Sequence, residues 1–410
     1  MKAGISSETD ILKKVIVHTP GSEVSLVNPS KKEDLLFDDI IFENDARIEH
    51  LDMLKLFQTA MPSGGEIIEI LDLALHCFQA EDVRHQFIEM MIKELADENI
   101  HPIEKDLKKL DAETLLQFVV EGSIPPSRHF DLNPAPNLLF TRDLAAVVGN
   151  NIIISKAAKK ARAREFLLME TIVMHHPLFN ELKKNAIHTS PQQSIEGGDV
   201  IVVSENIVMI GMSERTSFSG LMGVAEQLLD SGISHVLAVD IPKQRSSMHL
   251  DTIFTFADHD ECVVFPPAIE EKTDNVVHLH SVNGSVHAKK KTSLKATLEE
   301  LTEKEFTFIK CGGADRINQF REQWTDGANV FALAPGVIVG YERNTRTFEA
   351  LADHGYTHMD QFSFIEKFSD KPFNQQVEGK IAISFQGHEL CRGRGGARCM
   401  TLPVLREKDQ

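Results

Sequence analysis

Cysteine is scarce in this 410-residue chain, and the five present, Cys77, Cys262, Cys311, Cys391 and Cys399, are scattered with no C-x-x-C pair. That excludes a disulfide framework and leaves reduced thiols, one of which is free to serve as a nucleophile. No apolar run approaches the roughly 20 residues that span a bilayer, and the stretch after Met1 lacks the apolar core of a secretory signal. A cytoplasmic protein without a membrane partner is expected. Positive charge is also short: 43 Lys and Arg stand against 61 Asp and Glu, a net charge of -18 that repels phosphate backbones. Nucleic acid is excluded as a partner. With 42% hydrophobic and 25% charged residues the composition is that of a folded globular chain, not a disordered one.

What the sequence does contain is a coarse repeat of a short apolar strand, a turn and a second apolar strand. Asp143 leads one copy, which turns at Gly149-Asn150 and ends at Ile154; Asp199 leads a second, which turns at Glu205-Asn206. Asp251 leads a third, broken by Asp258-His259-Asp260, and Asn329 leads a fourth, turning at Pro335-Gly336. One hairpin cannot bury its own apolar face, so several such units predict a repeat-built α/β structure closed around an axis. Between Ala80 and Gly122 the period becomes helical, with Ile88, Met91, Ile92 and Leu95 on one face and Asp111 as the predicted cap of a following helix. Ser123 to Asn137, with Pro125, Pro126, Pro134 and Pro136, is predicted to hold neither regular helix nor central strand. The stretch from Lys272 to Lys310 reads as a variable surface segment.

Polar residues collect at the strand entrances: Asp143, Glu196 with Asp199, His249 with Asp251, and Cys399. In a closed radial array these entrances converge at one end of the axis, where a site assembled from distant segments belongs. A lone cysteine is most simply a small buried hydrophobe, but Cys399 follows the arginine-rich glycine loop Arg392-Gly-Arg-Gly-Gly-Ala-Arg398, which is expected to lower a thiol pKa. Cys391 and Cys311 remain rival nucleophiles on these grounds. Period two places His249 and Asp251 on one side of a predicted strand, as a general acid and base beside a carboxylate, although a satisfied core histidine explains His249 equally well. Gly197-Gly198 fits a turn and leaves the flanking acids unexplained. No metal is expected: neither His278-Leu-His280 nor His175-His176 is completed by a glutamate-bearing helix motif or a cysteine pair. The glycine loop lacks the Lys-Ser or Lys-Thr of a phosphate cradle, so no nucleotide cofactor is expected either.

Ten segments in order carry a resemblance over Leu12 to Pro403: Val15-Ile-Val-His-Thr-Pro-Gly21, Leu35-Leu-Phe-Asp-Asp39, Asn137-Leu-Leu-Phe-Thr-Arg-Asp143, Ala161-Arg-Ala-Arg-Glu165, Glu196-Gly-Gly-Asp199, Gly211-Met-Ser-Glu-Arg-Thr216, Met248-His-Leu-Asp-Thr252, Trp324-Thr-Asp-Gly327, Pro335-Gly-Val-Ile-Val-Gly-Tyr341 and Gly393-Arg-Gly-Gly-Ala-Arg-Cys-Met400. Together they resemble the arginine deiminase family of the guanidine-modifying superfamily. The resemblance implies a pentein fold, a five-bladed α/β propeller at residues 1–71 and 130–410, with an α-helical insert at 72–129. It implies hydrolysis of free L-arginine to citrulline and ammonia, with Cys399 as nucleophile, His249 as general acid and base, Asp143 and Asp251 as guanidinium ligands, and Glu196 as the carboxylate supporting the histidine. Arg162, Arg215 and Arg394 are implied as the grip on the substrate carboxylate, with Asn137 and Phe140 lining the pocket and Asp199 counted among the substrate-binding residues. Arg164 and Arg392 are expected to be solvated surface charges. A homo-oligomer is expected, its size left open. An amidinotransferase or another guanidine hydrolase is the nearest alternative, and a non-catalytic arginine-binding protein a more distant one.

Overall fold

The structure, a computed structural model, describes residues 4–95, 103–123, 132–190 and 192–409. Its strands form five separate sheets. Each is built on one plan: an antiparallel pair, then a strand parallel to its second member. Ala145–Val148 and Asn151–Ile154 pair antiparallel, and Ala186–Ile187 adds parallel. Val200–Ser204, Ile207–Met212 and His235–Asp240 repeat the plan, as do Phe254–Phe256, Glu261–Val264 and Thr307–Lys310. Phe331–Ala334 and Val337–Tyr341 are followed by Ile381–Phe385, with Thr357–Asp360 beyond it. A parallel pair needs a crossover, and helices supply it: Ala163–His175, Phe218–Asp230, Leu294–Thr302 and Thr345–Asp353 stand between the parallel strands of the successive sheets. The molecule is thus a five-bladed α/β propeller.

All four hairpins read from the sequence are present, and the turns at Gly149 and Gly336 take the left-handed backbone that glycine allows, with φ of 56° and 70°. The fifth blade has no hairpin. Leu402–Glu407, at the end of the chain, pairs antiparallel with Ile11–Val17 near its start, and Glu66–Glu69 adds parallel. This closes the ring of blades.

The segment from Lys272 to Lys310 departs from its expected character. Val276–Val282 and Ser285–Lys291 form a hairpin that extends the sheet of His235–Asp240, before the chain returns through Leu294–Thr302 to its own blade. Alternation explains this. Val276 and Leu279 are buried on opposite faces, so the strand is held between two cores and is not a free loop.

In the helical region, Ile70–Phe78, Glu81–Glu94, Glu104–Leu107 and Ala112–Glu121 are helices. Asp111 caps the last, its side chain accepting from the Thr114 amide at 2.7 Å, and Gly122 ends it in a left-handed conformation. Phe87, Met91, Leu115 and Phe118 lie in one hydrophobic cluster with Ile153, Leu168 and Val208 of the neighbouring blades, so these helices share the propeller's core. Of the proline-rich Ser123 to Asn137, residues 124–131, with Pro125 and Pro126, lie outside the described residues; Pro136–Leu139 is a single 3-10 turn.

The closing strand should be the most sensitive to truncation of its side chains. Leu402 is fully buried, so Leu402→Ala should cost about 2 to 5 kcal/mol in urea unfolding, whereas Val286→Ala on the outlying, exposed hairpin should stay within about 0.5 kcal/mol.

Candidate active site

Each blade begins with a tight turn, and the turns meet at one end of the axis. Thr141–Leu144, Gly197–Asp199 and Leu250–Thr252 are single 3-10 turns, which corrects the strand expected at His249 and Asp251. Hydrogen bonds link the turns in blade order. The Arg142 amide donates to the Cys399 carbonyl at 3.1 Å, and the Leu250 amide to Asp199 Oδ1 at 2.8 Å. Asn329 joins the rest: its Nδ2 donates to the Asp251 carbonyl at 2.8 Å, and its Oδ1 accepts from the Cys399 amide at 3.2 Å. The remaining junction is one of close packing, since a Cβ on Gly197 would lie 2.2 Å from the Arg142 carbonyl.

Inside this ring His249 Nε2 is 2.9 Å from Glu196 Oε2, and its Nδ1 is 3.5 Å from Asp143 Oδ1. Gly198 permits that approach, because a Cβ there would fall 2.8 Å from the imidazole and 2.9 Å from Asp143 Oδ1. Burial opposes charge on His249, but Asp143, the bond to Glu196 and Asp199 outweigh it and hold its pKa at about 9. Burial likewise opposes charge on Glu196, yet His249, Arg215 and Arg162 bring it down to about 2. The pair is therefore imidazolium and carboxylate at neutral pH.

Cys399, His249, Asp143, Arg162, Arg215 and Arg394 all line one cavity, with Asn137 and Phe140 in its wall. Its free space is about 20 Å³, room for a single water. Two kinds of unsatisfied group face this neighbourhood. Asp143 Oδ1 and Asp251 Oδ1 are buried carboxylate oxygens without a hydrogen-bond partner, and both charges act on Cys399. Arg394 Nε and Nη1 and Arg215 Nε are buried donors without one. The site thus offers acceptors near the sulfur and donors among the arginines.

The arginine-rich loop does not activate the thiol as expected. Burial, followed by Asp251, Asp143 and Asp326, pushes Cys399 well above the usual thiol pKa. The arginines are turned to other partners: Arg394 lies over the Trp324 ring, 3.5 Å from its centre, Arg398 is held by Glu8 and Asp251, and Arg392 pairs with Asp39 on the surface. Rival thiols fare no better, since burial also raises Cys391 and Cys311, and neither lines this cavity.

Two further expectations need correction. Asp199 does not line the cavity: it is fully buried, with Oδ2 accepting from Ser213 and Thr216 at 2.6 Å each and Oδ1 from the Leu250 amide at 2.8 Å, bonds that position the neighbouring loops. Arg164 is not a surface charge; it is buried and donates to the Asn133 carbonyl at 2.5 Å. Arg162 stands in the cavity wall as expected but is engaged by Asp143 at 2.5 Å, Glu165 at 2.8 Å and the Asn137 carbonyl at 3.0 Å. Residues the sequence reading missed include Asn329, visible in hindsight at a strand entrance, and Arg245, which lines the cavity and senses the charges of Arg215 and Arg394. Glu8 had no local signal at all. Asp143, Glu196 and His249 also approach closely enough to hold a cation, but Arg162 and Arg215 already supply the positive charge beside them.

A model of the arginine deiminase family matches residues 107–406. Arginine deiminases of Listeria monocytogenes, Limosilactobacillus fermentum and Bacillus thuringiensis are each 34% identical to the chain over 98% of its length and 97 to 98% of theirs. The chain belongs to the arginine deiminase family. Solved structures share the deiminase's fold at lower identity. The N-terminal domain of ArgZ, a cyanobacterial arginine dihydrolase, superposes with a TM-score of 0.55 at 13% identity over 97% of this chain and 98% of its own. Dimethylarginine dimethylaminohydrolase from Pseudomonas aeruginosa, complexed with citrulline, gives 0.52 at 16% over 96% and 100%.

Glu196 acts with Asp143 and Asp199 to keep His249 charged, so Glu196→Gln should lower the histidine pKa from about 9 toward the usual 6.5 in an NMR titration. The stabilisation from this histidine is full below about pH 6.5 and is lost as pH rises through about 9, because its folded pKa is the raised one. A histidine pKa unmoved by the substitution would remove Glu196 from that role.

Proposed function

We propose that the chain hydrolyses free L-arginine to L-citrulline and ammonia through an amidino-cysteine on Cys399. The observation that carries this reading is a buried thiol beside two carboxylate oxygens with no hydrogen-bond partner, Asp143 Oδ1 and Asp251 Oδ1. A guanidinium is a planar cation with five N-H donors and fits such acceptors, which would hold its central carbon against the sulfur. The α-carboxylate of the same ligand would take the unpartnered donors of Arg394 and Arg215, with Arg245 near both.

Ligand binding reverses the electrostatics at sulfur. In the free protein burial, and then the carboxylates, keep Cys399 a thiol. A bound guanidinium neutralises them and attracts a thiolate by about 4 kcal/mol at about 4 Å and an effective dielectric near 20. The thiol proton is released to solvent water as the guanidinium enters, and thiolate attack on the guanidinium carbon gives a tetrahedral adduct. The His249 imidazolium donates its proton to the departing amine, the carbon-nitrogen bond breaks, and ammonia leaves. Neutral imidazole next takes a proton from water as that water adds to the amidino carbon. Collapse breaks the carbon-sulfur bond, releases citrulline and regenerates the sulfur nucleophile. Glu196 keeps the imidazole charged for the first transfer and oriented for the second.

A cavity with room for one water must open for arginine to enter. Leu36 and Arg245 both line it, and Arg245 ties down the Leu36 segment, donating to the Leu36 carbonyl at 2.5 Å and to Asp38 Oδ2 at 3.0 Å.

Incubation with arginine should yield equal amounts of citrulline and ammonia, and Cys399→Ser should abolish both; ornithine formed only with an added amine acceptor would instead show an amidinotransferase. Arg394→Ala should raise the KM for arginine about 10- to 150-fold, the size of a lost charge-assisted bond, while changing agmatine far less. Equal losses would remove the carboxylate grip. Because the first proton comes from imidazolium, kcat/KM should fall as pH rises through about 9, and that limb should move to lower pH in Glu196→Gln.

A further inference from the structure

Remote from the catalytic ring, the sheet extended by the Val276–Lys291 hairpin carries four histidines on one face. His280 is the direct cross-strand partner of both His235 and His287, so three imidazoles stand in a row over three adjacent strands. His278 lies two residues before His280 and therefore projects to the same side. His235 Nδ1 and His278 Nε2 are already 2.9 Å apart, and the His278 and His280 rings stack with centres 4.8 Å apart. His287, 6.0 Å from His280, is exposed at the outer edge. His280 Nδ1 is a buried nitrogen with no hydrogen-bond partner.

We propose that His235, His278 and His280 bind a divalent transition-metal ion of the zinc class, with His287 as the outer ligand. Two ligands from one strand at i and i+2 and a third from the neighbouring strand bring three imidazoles to one face of the sheet, with the nitrogens of His235 and His278 together and that of His280 not yet converged on them. Zinc takes nitrogen at about 2.0 to 2.1 Å, which requires ligand atoms about 3.3 Å apart. The 2.9 Å pair has to open only slightly, and the His280 side chain has to turn its free nitrogen toward them.

Glu300 stands nearby, with both of its oxygens bonded to Lys291 at 2.6 Å. A hairpin belonging in sequence to one blade would then be pinned by metal to the strand of another.

Titration of the full chain with Co²⁺ tests this, because the ion reports its ligands by colour. The expected result is one equivalent bound with d-d absorption and no thiolate charge-transfer band, unchanged in Cys399→Ser and at least tenfold weaker in His280→Ala and His278→Ala. His280 is half-exposed, so its variant should fold, and unchanged arginine turnover would verify that. The proposal is overturned if wild type binds no stoichiometric Co²⁺, if His280→Ala binds as tightly as wild type, or if Cys399→Ser alone abolishes binding.

Discussion

The constraint on which the molecule depends is the closure of five blade entrances into one hydrogen-bonded and packed ring. A propeller blade ends in unpaired main-chain groups near the axis, and buried donors and acceptors of that kind must be satisfied. Here they are satisfied by neighbouring blades, through Arg142 to Cys399, Leu250 to Asp199, and Asn329 to both Asp251 and Cys399. The same bonds that close the architecture therefore set the position of each side chain around the sulfur. Structure and site share one set of contacts, and Asn329 belongs to both.

Charge is concentrated at this ring to a degree that a hydrophobic core would not tolerate. Glu8, Arg398 and Asp251 form a buried chain, with Glu8 held at a pKa of about 2 and Asp251 pushed upward by burial. Removing one member of such a network leaves another charge buried alone, at a cost of about 3 to 5 kcal/mol, so its members constrain one another. Arg398 directly precedes Cys399, and Glu8 reaches it from the opposite end of the chain. One Asp251 oxygen and one Asp143 oxygen are left without a hydrogen bond, near a thiol whose pKa burial and these carboxylates raise.

Much of this was legible in the residues. Four hairpins could be read because each is local: alternating apolar residues, a turn, then a second strand within a few positions. The acids and the histidine at their entrances could be read for the same reason, and the order of short motifs placed them in a family. The fifth blade could not be read, because Ile11–Val17 and Leu402–Glu407 have no turn between them to announce the pairing. The hairpin at Val276–Lys291 was missed because its lysine-rich second strand has an exposed pattern that resembles a loop.

The sequence sufficed for residue types and their spacing along the chain, from which the α/β class, the repeat and a set of candidate site residues at the strand entrances followed. Folding settled direction and environment. Asp199 and Asp251 look alike at two strand entrances, yet one has both oxygens occupied by neighbouring loops and the other keeps one free. The arginines before Cys399 look like activators of its thiol, but they turn to Glu8, Asp251, Asp39 and Trp324, while burial and then carboxylates from other blades raise its pKa. Electrostatic effect depends on distance and burial across blades, and neither quantity is carried by spacing along a chain.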